Sequence, residues 1–446
     1  MQKVTANSDR IQAVRAAFPE GGFFRDKEWV LSPEPFALDA RTTGIIEALG
    51  PALLAFQRAC NRLYHESAAG HEHPWVAQLM DQGKPQRVID LGRHAAWHDD
   101  LPRVIRPDLV LTQNGVCISE LDSIPGGIGL TAWLNQTYAA LGDDVIGGGS
   151  GMIDGFAAAF PEEDILISRE SADYQPEMQW LAAQLNARSA NRARSVISTS
   201  DWRGNQEPRT RNQEVRSTYR FFELFDLENV EHSEELIQLA LETEVRITPP
   251  LKAFLEEKLW LALFWVPQLE DWWTSALRAE HLQLLRRCIP FGWIMNPQPV
   301  PVTAVYPELN ISSWDEMKSF GRRQRELVVK ISGFSERGWG SRGVFIGHDL
   351  SQDAWAIAID EALASFSTNP FVLQRFHAGR VVSHPAWNDN KQAALLVKSR
   401  ARLCPYYFVA NNEQRLAGVL ATVCPADKKI LHGMKDAMML PCSAAF

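Results

Sequence analysis

Apolar residues recur at helical spacing in residues 36–66, FALDARTTGIIEALGPALLAFQRACNRLYHE. Positions three or four apart share one face of a helix, so this spacing predicts an amphipathic helix with a buried stripe. The pair Gly50-Pro51 interrupts the run. Because proline inside a helix removes a backbone hydrogen bond and crowds the preceding turn, a break is expected there. The segment is therefore predicted to be a helical hairpin.

Short apolar runs bounded by polar residues predict strands. They are RVIDL at 87–91, the two arms of residues 106–122, DILIS at 164–168 and SVIST at 195–199. A helix from about Pro176 to Leu185 lies between the last two, and this strand–helix–strand order predicts an α/β layer.

The second half of the chain mixes both patterns. Residues 202–217, WRGNQEPRTRNQEVRS, predict a polar loop or domain edge, and two helices are expected at about 233–242 and 249–262. From about residue 327 the pattern returns to strands and glycines.

Composition narrows the class of protein. The 446 residues suggest about three domains at roughly 150 residues each, and 46% hydrophobic with 22% charged residues fits a globular protein with a large core. A net charge of −9 argues against a nucleic-acid or anionic-membrane partner. The sequence shows no signal peptide, no membrane-spanning apolar run and only scattered cysteines, so a cytoplasmic protein with reduced thiols is expected.

Charged residues alternate along both arms of the hairpin in RPDLVLTQNGVCISELD. Arg106 and Asp108 lie on one side of the first arm, and Glu120 and Asp122 lie on one side of the second. Whether these sides coincide depends on the turn, because a shift of one residue moves a side chain to the other face.

A two-residue turn at Asn114-Gly115 would place the acids of the two arms on opposite faces. A three-residue loop instead sets Asp108 opposite Glu120. Arg106 then faces Asp122, and all four groups converge. Converging carboxylates with nucleotide phosphate would suit Mg²⁺. A solvated polar face, with the arginine paired to the acids, is the alternative.

The hairpin is followed by SIPGGIG, which offers Ser123, Gly126 and Gly127 as a hydroxyl and open backbone N–H groups. Such groups suit an anion or a substrate. A simple Pro-Gly turn explains the same residues.

A glycine-rich loop lies between two strand-like runs in LVVKISGFSERGWGSRGVFIG, residues 327–347, with Lys330 at the end of the first run. The loop contains Gly333, Gly338, Gly340, Ser341 and Gly343. Glycines allow close backbone approach to phosphate, whereas the spacing excludes a P-loop NTPase. A flexible hairpin loop is the alternative.

Three further positions have both a structural and a functional interpretation. Lys258 falls on the apolar stripe of LKAFLEEKLWLALFW, where it either extends its ammonium group to water or points it into a phosphate cleft. Gln374 in the apolar strand FVLQRF is either a core residue or a hydrogen-bond partner for adenine. Arg402, alternating with Lys398 and Arg400, lies on a solvated strand face or contacts phosphate or a substrate carboxylate.

Taken in order, these segments resemble the ATP-grasp ligases, specifically the glutathionylspermidine synthase-like group. RPD and ELD are similar to the family's R-x-D and E-x-N pairs, with Asp122 where the family has Asn. EEKLWLALFW and VVKISGFSERGWGSRGV resemble its two ATP-lysine segments, and FVLQRF resembles its adenine hinge. The segment SIPGGIG departs from the family's acid-and-threonine turn, so glutathione and spermidine specificity is not carried over.

The resemblance implies an α/β (α+β) protein with an ATP-grasp fold, a preceding α/β layer and a helical N-terminal part. The expected regions are a mainly helical 1–100, an α/β region 101–250 that carries the hairpin, and a nucleotide-binding region 251–446, interleaved in space. ATP and Mg²⁺ are the implied cofactors. The implied metal ligands are Asp108, Glu120 and Asp122, with Arg106 stabilising the transition state. The implied ATP-binding residues are Lys258, Lys330, Gln374 and the loop residues Gly333, Gly338, Gly340, Ser341 and Gly343.

The expected function is an ATP-dependent carboxylate–amine ligase that acts through an acyl phosphate on a small-molecule or peptide substrate. The partners are then an acid and an amine, with no nucleic acid and no membrane. An ATP-grasp kinase acting on a non-carboxylate acceptor and a nucleotide-binding protein without turnover are the alternatives. The sequence leaves open the identity of the substrates, the number of metal ions and the oligomeric state.

Overall fold

A computed structural model of the protein describes residues 2–19, 29–122, 124–188, 193–202, 216–301, 304–338, 342–431 and 436–444. Most of the predicted polar loop at 202–217 lies outside these residues. The helices are α1 (Gln2–Ala16), α2 (Ala40–Ala68), α3 (Trp75–Asp81), α4 (Gln86–Gly92), α5 (Ile128–Ala140), α6 (Gly151–Ala159), α7 (Gln175–Asn186), α8 (Ser233–Leu241), α9 (Leu259–Leu263), α10 (Glu270–Ala276), α11 (Ala279–Cys288), α12 (Trp314–Lys318) and α13 (Gln352–Ala364).

The strands follow the chain as β1 (Phe36–Leu38), β2 (Val104–Thr112), β3 (Gly115–Asp122), β4 (Asp164–Ile167), β5 (Val196–Ser198), β6 (Arg216–Phe221), β7 (Val245–Thr248), β8 (Gly292–Ile294), β9 (Leu327–Ile331), β10 (Val344–Ile346), β11 (Phe371–Arg375), β12 (Val382–Asn388), β13 (Ala393–Ala410), β14 (Glu413–Pro425) and β15 (Met438–Ala444). None of the helices just named has the length and apolar content that a bilayer-spanning segment needs.

The chain divides into two units that each draw on separate stretches of sequence. The first unit comprises Met1–Leu54, Ala96–Pro250 and Ala378–Phe446, and the second comprises Ala55–Ala95 and Leu251–His377. The three regions expected from the sequence stay a prediction. Residues 1–100 contribute to both units, and strands β12–β15 belong to the first.

The first unit contains two sheets. One has the strand order β1-β15-β14-β13-β2-β3, with β12 also paired to β13, and it is antiparallel except for the β1–β15 pair. The other is parallel, in the order β5-β4-β6-β7, and α7 follows β4 as the predicted strand–helix–strand unit requires. This confirms the α/β layer.

The second unit contains an antiparallel sheet in the order β10-β9-β11-β8. Alternate residues of its strands, including Trp293, Val329 and Leu373, are buried in one apolar core together with Trp355 and Ile359 of α13. One face of this sheet therefore packs against the apolar core, and the remaining residues of each strand point to the opposite face.

Three elements differ from the sequence prediction. Residues 36–66 form β1 and one continuous helix, α2, rather than a helical hairpin, and Pro51 lies inside the helix. The stripe that includes Leu49 and Leu53 is fully buried, and this packing outweighs the lost hydrogen bond. RVIDL is helix α4, because a run of five apolar and polar residues fits either period.

The predicted helix at 249–262 is also wrong. A 3₁₀ turn at Ala253–Glu256 is followed by an extended Glu257, and α9 begins only at Leu259. Glu257 lies between the two helical segments, and its carboxylate accepts bonds from Ser332 and from the backbone of Gly333.

Candidate functional site

The β2–β3 hairpin brings the predicted charged residues together. Arg106 pairs with Asp122 and Asp108 pairs with Glu120, which confirms the expected facing pairs. The predicted three-residue loop is wrong, because Thr112 pairs with Gly115 across a two-residue turn. A β-bulge between Asp108 and Leu109 gives β3 one extra residue opposite β2. This extra residue compensates for the shorter turn, so that Asp108 still faces Glu120.

Asp108 lies at the centre of a buried charge network in the first unit and is only 5% exposed. Its Oδ2 accepts a hydrogen bond from Arg402 at 2.8 Å. Its Oδ1 lies 3.1 Å from Arg106 Nη2 and accepts from Cys404 Sγ at 3.3 Å. Arg402, which is expected on a solvated face or against a phosphate or substrate carboxylate, has the buried carboxylate of Asp108 as its partner.

Asp122 completes the network on the other side of Arg106. Its Oδ2 accepts from Arg106 Nη2 at 2.8 Å, and its Oδ1 accepts from the backbone N–H of Ile124 at 2.9 Å. Burial opposes the charged form of Arg106, yet the carboxylates of Asp108 and Asp122 raise its pKa. Burial also raises the pKa of Asp122, with Glu120 and Asp108 adding to the effect.

These contacts bear on the magnesium prediction. Both oxygens of Asp108 and both oxygens of Asp122 already accept bonds from the chain's own groups. Across the described residues, no three His, Cys, Asp or Glu side chains converge in a way that would hold a metal ion. In this arrangement the guanidinium groups of Arg106 and Arg402 lie against the carboxylates of Asp108 and Asp122. Metal binding by Asp108, Glu120 and Asp122 stays a prediction.

The segment after the hairpin contacts the same network through its carbonyl. Gly126 O accepts from Arg106 Nη1 at 3.1 Å and from the Tyr406 hydroxyl at 2.7 Å. Gly127 has φ +85° and directly precedes α5. Ser123, the third residue predicted to bind substrate, lies outside the described residues. The glycine positions are thus fixed by packing, and their role in substrate binding stays a prediction.

In the second unit, Lys330 and Gln374 lie on one face of the four-stranded sheet. Lys330 pairs with Val372 and Gln374 pairs with Val328, so the four positions share a side of β9 and β11. The opposite side, which carries Val329 and Leu373, faces the apolar core. The predicted lysine and the predicted hinge residue are therefore brought to the same surface.

Gln374 is one of several buried polar side chains with an unsatisfied atom among the described residues, and Gln57 of helix α2 is another. Gln374 is 2% exposed, and within the described residues its Nε2 atom has no hydrogen-bond partner. Leaving a buried amide N–H unpaired costs about 1–3 kcal/mol. The strand therefore keeps an unsatisfied donor at the position where the sequence predicts contact with adenine.

Helix α9 brings Lys258 to the same side of the sheet. It packs against β8 and β11, and a Cβ added to Gly292 would lie 3.5 Å from Gln374 Cγ and 3.6 Å from Ala262 Cα. Lys258 immediately precedes this helix, and a Cβ on Gly338 would lie 3.8 Å from Lys258 Nζ. The first predicted lysine is thus adjacent to the backbone of the glycine-rich loop.

The described parts of the loop show why glycine is needed at two positions. A Cβ at Gly333 would lie 2.0 Å from Glu256 O, and one at Gly343 would lie 2.4 Å from Ile331 Cγ2. Both contacts forbid a larger side chain without movement of the backbone or core. Gly340 and Ser341 lie outside the described residues.

Two residues beside this loop were not found from the sequence. Lys84 and Glu257 form an ion pair whose side chains are almost fully buried. They are far apart in the chain, and neither stands in a recognisable motif. The only sequence sign was the acidic residue next to Lys258, which resembles an ordinary charged helix end.

A solved structure with a similar fold is known. A glutathione synthetase-like effector from Globodera pallida, in its apo form, superposes with a TM-score of 0.56 over 98% of this chain and 96% of that one, at 13% identity. A protein assigned as a gamma-glutamylcysteine synthetase from Methylobacillus flagellatus KT gives a TM-score of 0.39 over 92% and 89%, also at 13% identity. No protein-family model and no curated protein sequence matches the chain. The first likeness shows the fold, which is mixed α/β and ATP-grasp-like, as the sequence predicted.

Proposed function

We propose that the protein is an ATP-dependent ligase that joins a carboxylic acid to an amine through an acyl phosphate. The observation that carries this proposal is the shared sheet face of Lys330 and Gln374, where a buried amide N–H has no partner among the described residues. The finer resemblance to the glutathionylspermidine synthase-like group is part of the same proposal. ATP, with its magnesium ion, is a substrate.

The second unit has the groups that a nucleotide requires. The amide of Gln374 can donate to a ring nitrogen of adenine, while apolar neighbours in β8 and β11 cover the ring. Lys330 and Lys258 supply positive charge for the phosphates, and the glycines allow the backbone to approach them. These roles would explain why two lysines and an amide N–H with no partner in the described structure lie on one side of a sheet.

The chemistry needs two steps. A carboxylate oxygen of the acid attacks the γ-phosphorus of ATP, so that a P–O bond forms and the bond to ADP breaks. The amine nitrogen then attacks the carbonyl carbon of the acyl phosphate, loses a proton and expels inorganic phosphate. Arg106 is the proposed partner of the oxyanion that develops on this attack. No step here depends on a metal ion held by the hairpin carboxylates.

A nucleotide-binding protein without turnover is the second candidate. It is favoured by the hairpin, in which Asp108 and Asp122 are occupied by Arg106, Arg402 and a backbone N–H. In that case ADP would bind in the second unit, but no phosphate would be released from ATP with any acid.

Hydroxylamine distinguishes these functions. It traps an acyl phosphate as a hydroxamate, which ferric iron reveals by colour. With ATP, Mg²⁺ and a panel of small acids and peptides, the ligase should form hydroxamate and release phosphate only with its own acid, and Lys330→Met should do neither. A stable phosphorylated product without hydroxamate would point to the kinase. ADP binding without phosphate release across the panel would favour the protein without turnover.

A further inference from the structure

A buried ion pair lies beside the glycine-rich loop of the second unit. The Lys84 ammonium group contacts Glu257 Oε1, and the two side chains are 2% and 1% exposed. Lys84 also donates to the carbonyl of Met80 at 2.6 Å. The second carboxylate oxygen, Glu257 Oε2, accepts from the hydroxyl of Ser332 and from the N–H of Gly333 at 2.9 Å. Each charged group thus has several partners.

A buried ion pair does not in general stabilise a protein. Removing two charges from water costs several kcal/mol, and apolar residues of similar size often give the folded protein the same stability. Burial opposes ionisation, yet Lys84, Ser332 and Gly333 lower the pKa of Glu257 below its ordinary value. The carboxylate is therefore charged and held in one orientation, which suggests a role in geometry.

The pair joins the two segments that carry the predicted lysines. Glu257 directly precedes Lys258, and Ser332 follows two residues after Lys330. The Ser332 hydroxyl also accepts from the N–H of Leu259, the first residue of α9, at 3.3 Å. The end of strand β9 and the start of helix α9 are therefore linked through the Ser332 hydroxyl, which accepts from Leu259 and donates to the Glu257 carboxylate.

Lys84 is itself fixed from the other side. It follows Gly83, which has φ +75°, and a Cβ on Gly83 would lie 1.7 Å from Thr368 O. Only glycine fits this turn, because a side chain would both strain the backbone and collide with it. The ammonium group consequently reaches Glu257 from an anchored position.

We propose that Lys84 and Glu257 are positioning residues that hold Lys258, Lys330 and the first glycine of the loop in the arrangement that binds the nucleotide phosphates. This proposal rests on the proposed function. It also gives a role to residues 55–95, which form part of the second unit and supply Lys84. The N-terminal helical region thereby contributes to the nucleotide site without touching the nucleotide.

The test measures the dissociation constant of ADP with Mg²⁺ by calorimetry, alongside the melting temperature, on the full chain. Lys84→Met should weaken ADP binding about tenfold or more, because small misplacements of charged groups are costly. Lys84→Arg should restore most of the affinity. Arg93→Met is the matched control, since it removes the Arg93–Asp81 pair of the same segment and should lower the melting temperature without changing ADP affinity.

A second variant covers the case in which Lys84→Met does not fold. The double variant Lys84→Met, Glu257→Gln leaves no unpaired charge and should fold, yet bind ADP as weakly as expected for the single variant. Wild-type affinity in a folded Lys84→Met or double variant would overturn the positioning role. The same would follow if Arg93→Met weakened binding equally. A wild-type protein that does not bind ADP at all would instead overturn the proposed function.

Discussion

Gln374 lies diagonally opposite Lys330 across strands β11 and β9, with both residues on the side of the sheet that faces away from the apolar core. Diagonal neighbours in an antiparallel pair are separated by roughly 7–8 Å. A purine contacted by the amide therefore has its phosphates within reach of a long lysine side chain. This relationship supports the proposal that Gln374 contacts a nucleotide.

Replacement of Gln374 by methionine should separate these two roles. Since Nε2 has no partner in the described structure, Gln374→Met should raise the free energy of unfolding by about 1 kcal/mol in the absence of nucleotide. The same variant should bind ADP about tenfold more weakly, a loss of about 1.4 kcal/mol. Urea unfolding and calorimetry measure the two effects. Lower stability with unchanged ADP affinity would mark Gln374 as a core residue.

The hairpin carboxylates should differ sharply in their effect on stability. Asp108→Asn leaves two buried guanidinium groups without their shared counter-charge and should cost about 3 kcal/mol of unfolding free energy. Glu120 is half-buried, and Glu120→Gln should change stability by no more than about 0.5 kcal/mol. Denaturant titration of both variants makes the comparison. If Asp108→Asn kept full stability but lost the magnesium-dependent part of ADP binding, Asp108 would be a metal ligand and not the centre of an ion network.

The hairpin also shows how much of the structure can be predicted from the sequence. The alternation of charged residues predicted the facing pairs correctly, because side-chain period and hydrophobic pattern are local properties. The turn was predicted wrongly, since the register depends on a bulge opposite Asp108 that leaves no clear mark in the sequence. The predicted turn is one residue too long and the prediction lacks the bulge of one residue. These two errors cancel, so the facing pairs are correct.

Two glycines of helix α2 form a matched test of the continuous helix. A Cβ at Gly50 would lie 2.3 Å from the Gln414 amide and 2.8 Å from the Tyr407 ring, whereas a Cβ at Gly44 would have no described neighbour beyond its own helix backbone within 4 Å. Gly50→Ala should therefore destabilise the protein by about 1–3 kcal/mol. Gly44→Ala should stabilise it by up to about 1 kcal/mol, because alanine favours the helix. Thermal unfolding of both proteins gives the signs, and equal effects would contradict the close packing of Gly50 against Gln414 and Tyr407.

Stability should also depend on pH through His384. Its Nε2 atom lies 3.0 Å from the Ser32 hydroxyl, and burial lowers the pKa of His384 from 6.5 to about 4. Between about pH 6.5 and about pH 4 the unfolded chain takes up a proton at His384, whereas the folded protein does not. The free energy of unfolding is therefore unaffected by this group above pH 6.5. It falls as the pH is lowered toward 4, by up to about 1.4 kcal/mol per pH unit.

Comparison with His384→Gln isolates this effect from other groups. Between about pH 7.5 and about pH 4.5 the wild-type protein should lose about 2–3 kcal/mol more of its unfolding free energy than the variant. Urea midpoints at both pH values measure the difference. Equal losses of unfolding free energy in the two proteins would show that the His384 imidazole is not held neutral in the folded protein.

Contacts between distant parts of the sequence mark the limit of prediction. The strand that carries Lys330 and the strand that carries Gln374 were found from local patterns. RVIDL was assigned the wrong element because five residues fit both periods, and only burial of Val88 and Leu91 decides for a helix. The pairing of Lys84 with Glu257, and of Arg402 with Asp108, arises from tertiary packing and has no local pattern.

The central claim is that the face carrying Lys330 and Gln374 binds a nucleotide. Calorimetric titration with ADP in the presence and absence of Mg²⁺ tests it most directly, with Lys330→Met as the variant and Lys318→Met, at an ion pair on helix α12, as the control. Magnesium-dependent binding by the wild type and the control, weakened about tenfold or more in Lys330→Met, is the predicted result. Absence of binding by the wild type, or equal binding by all three proteins, would contradict the claim.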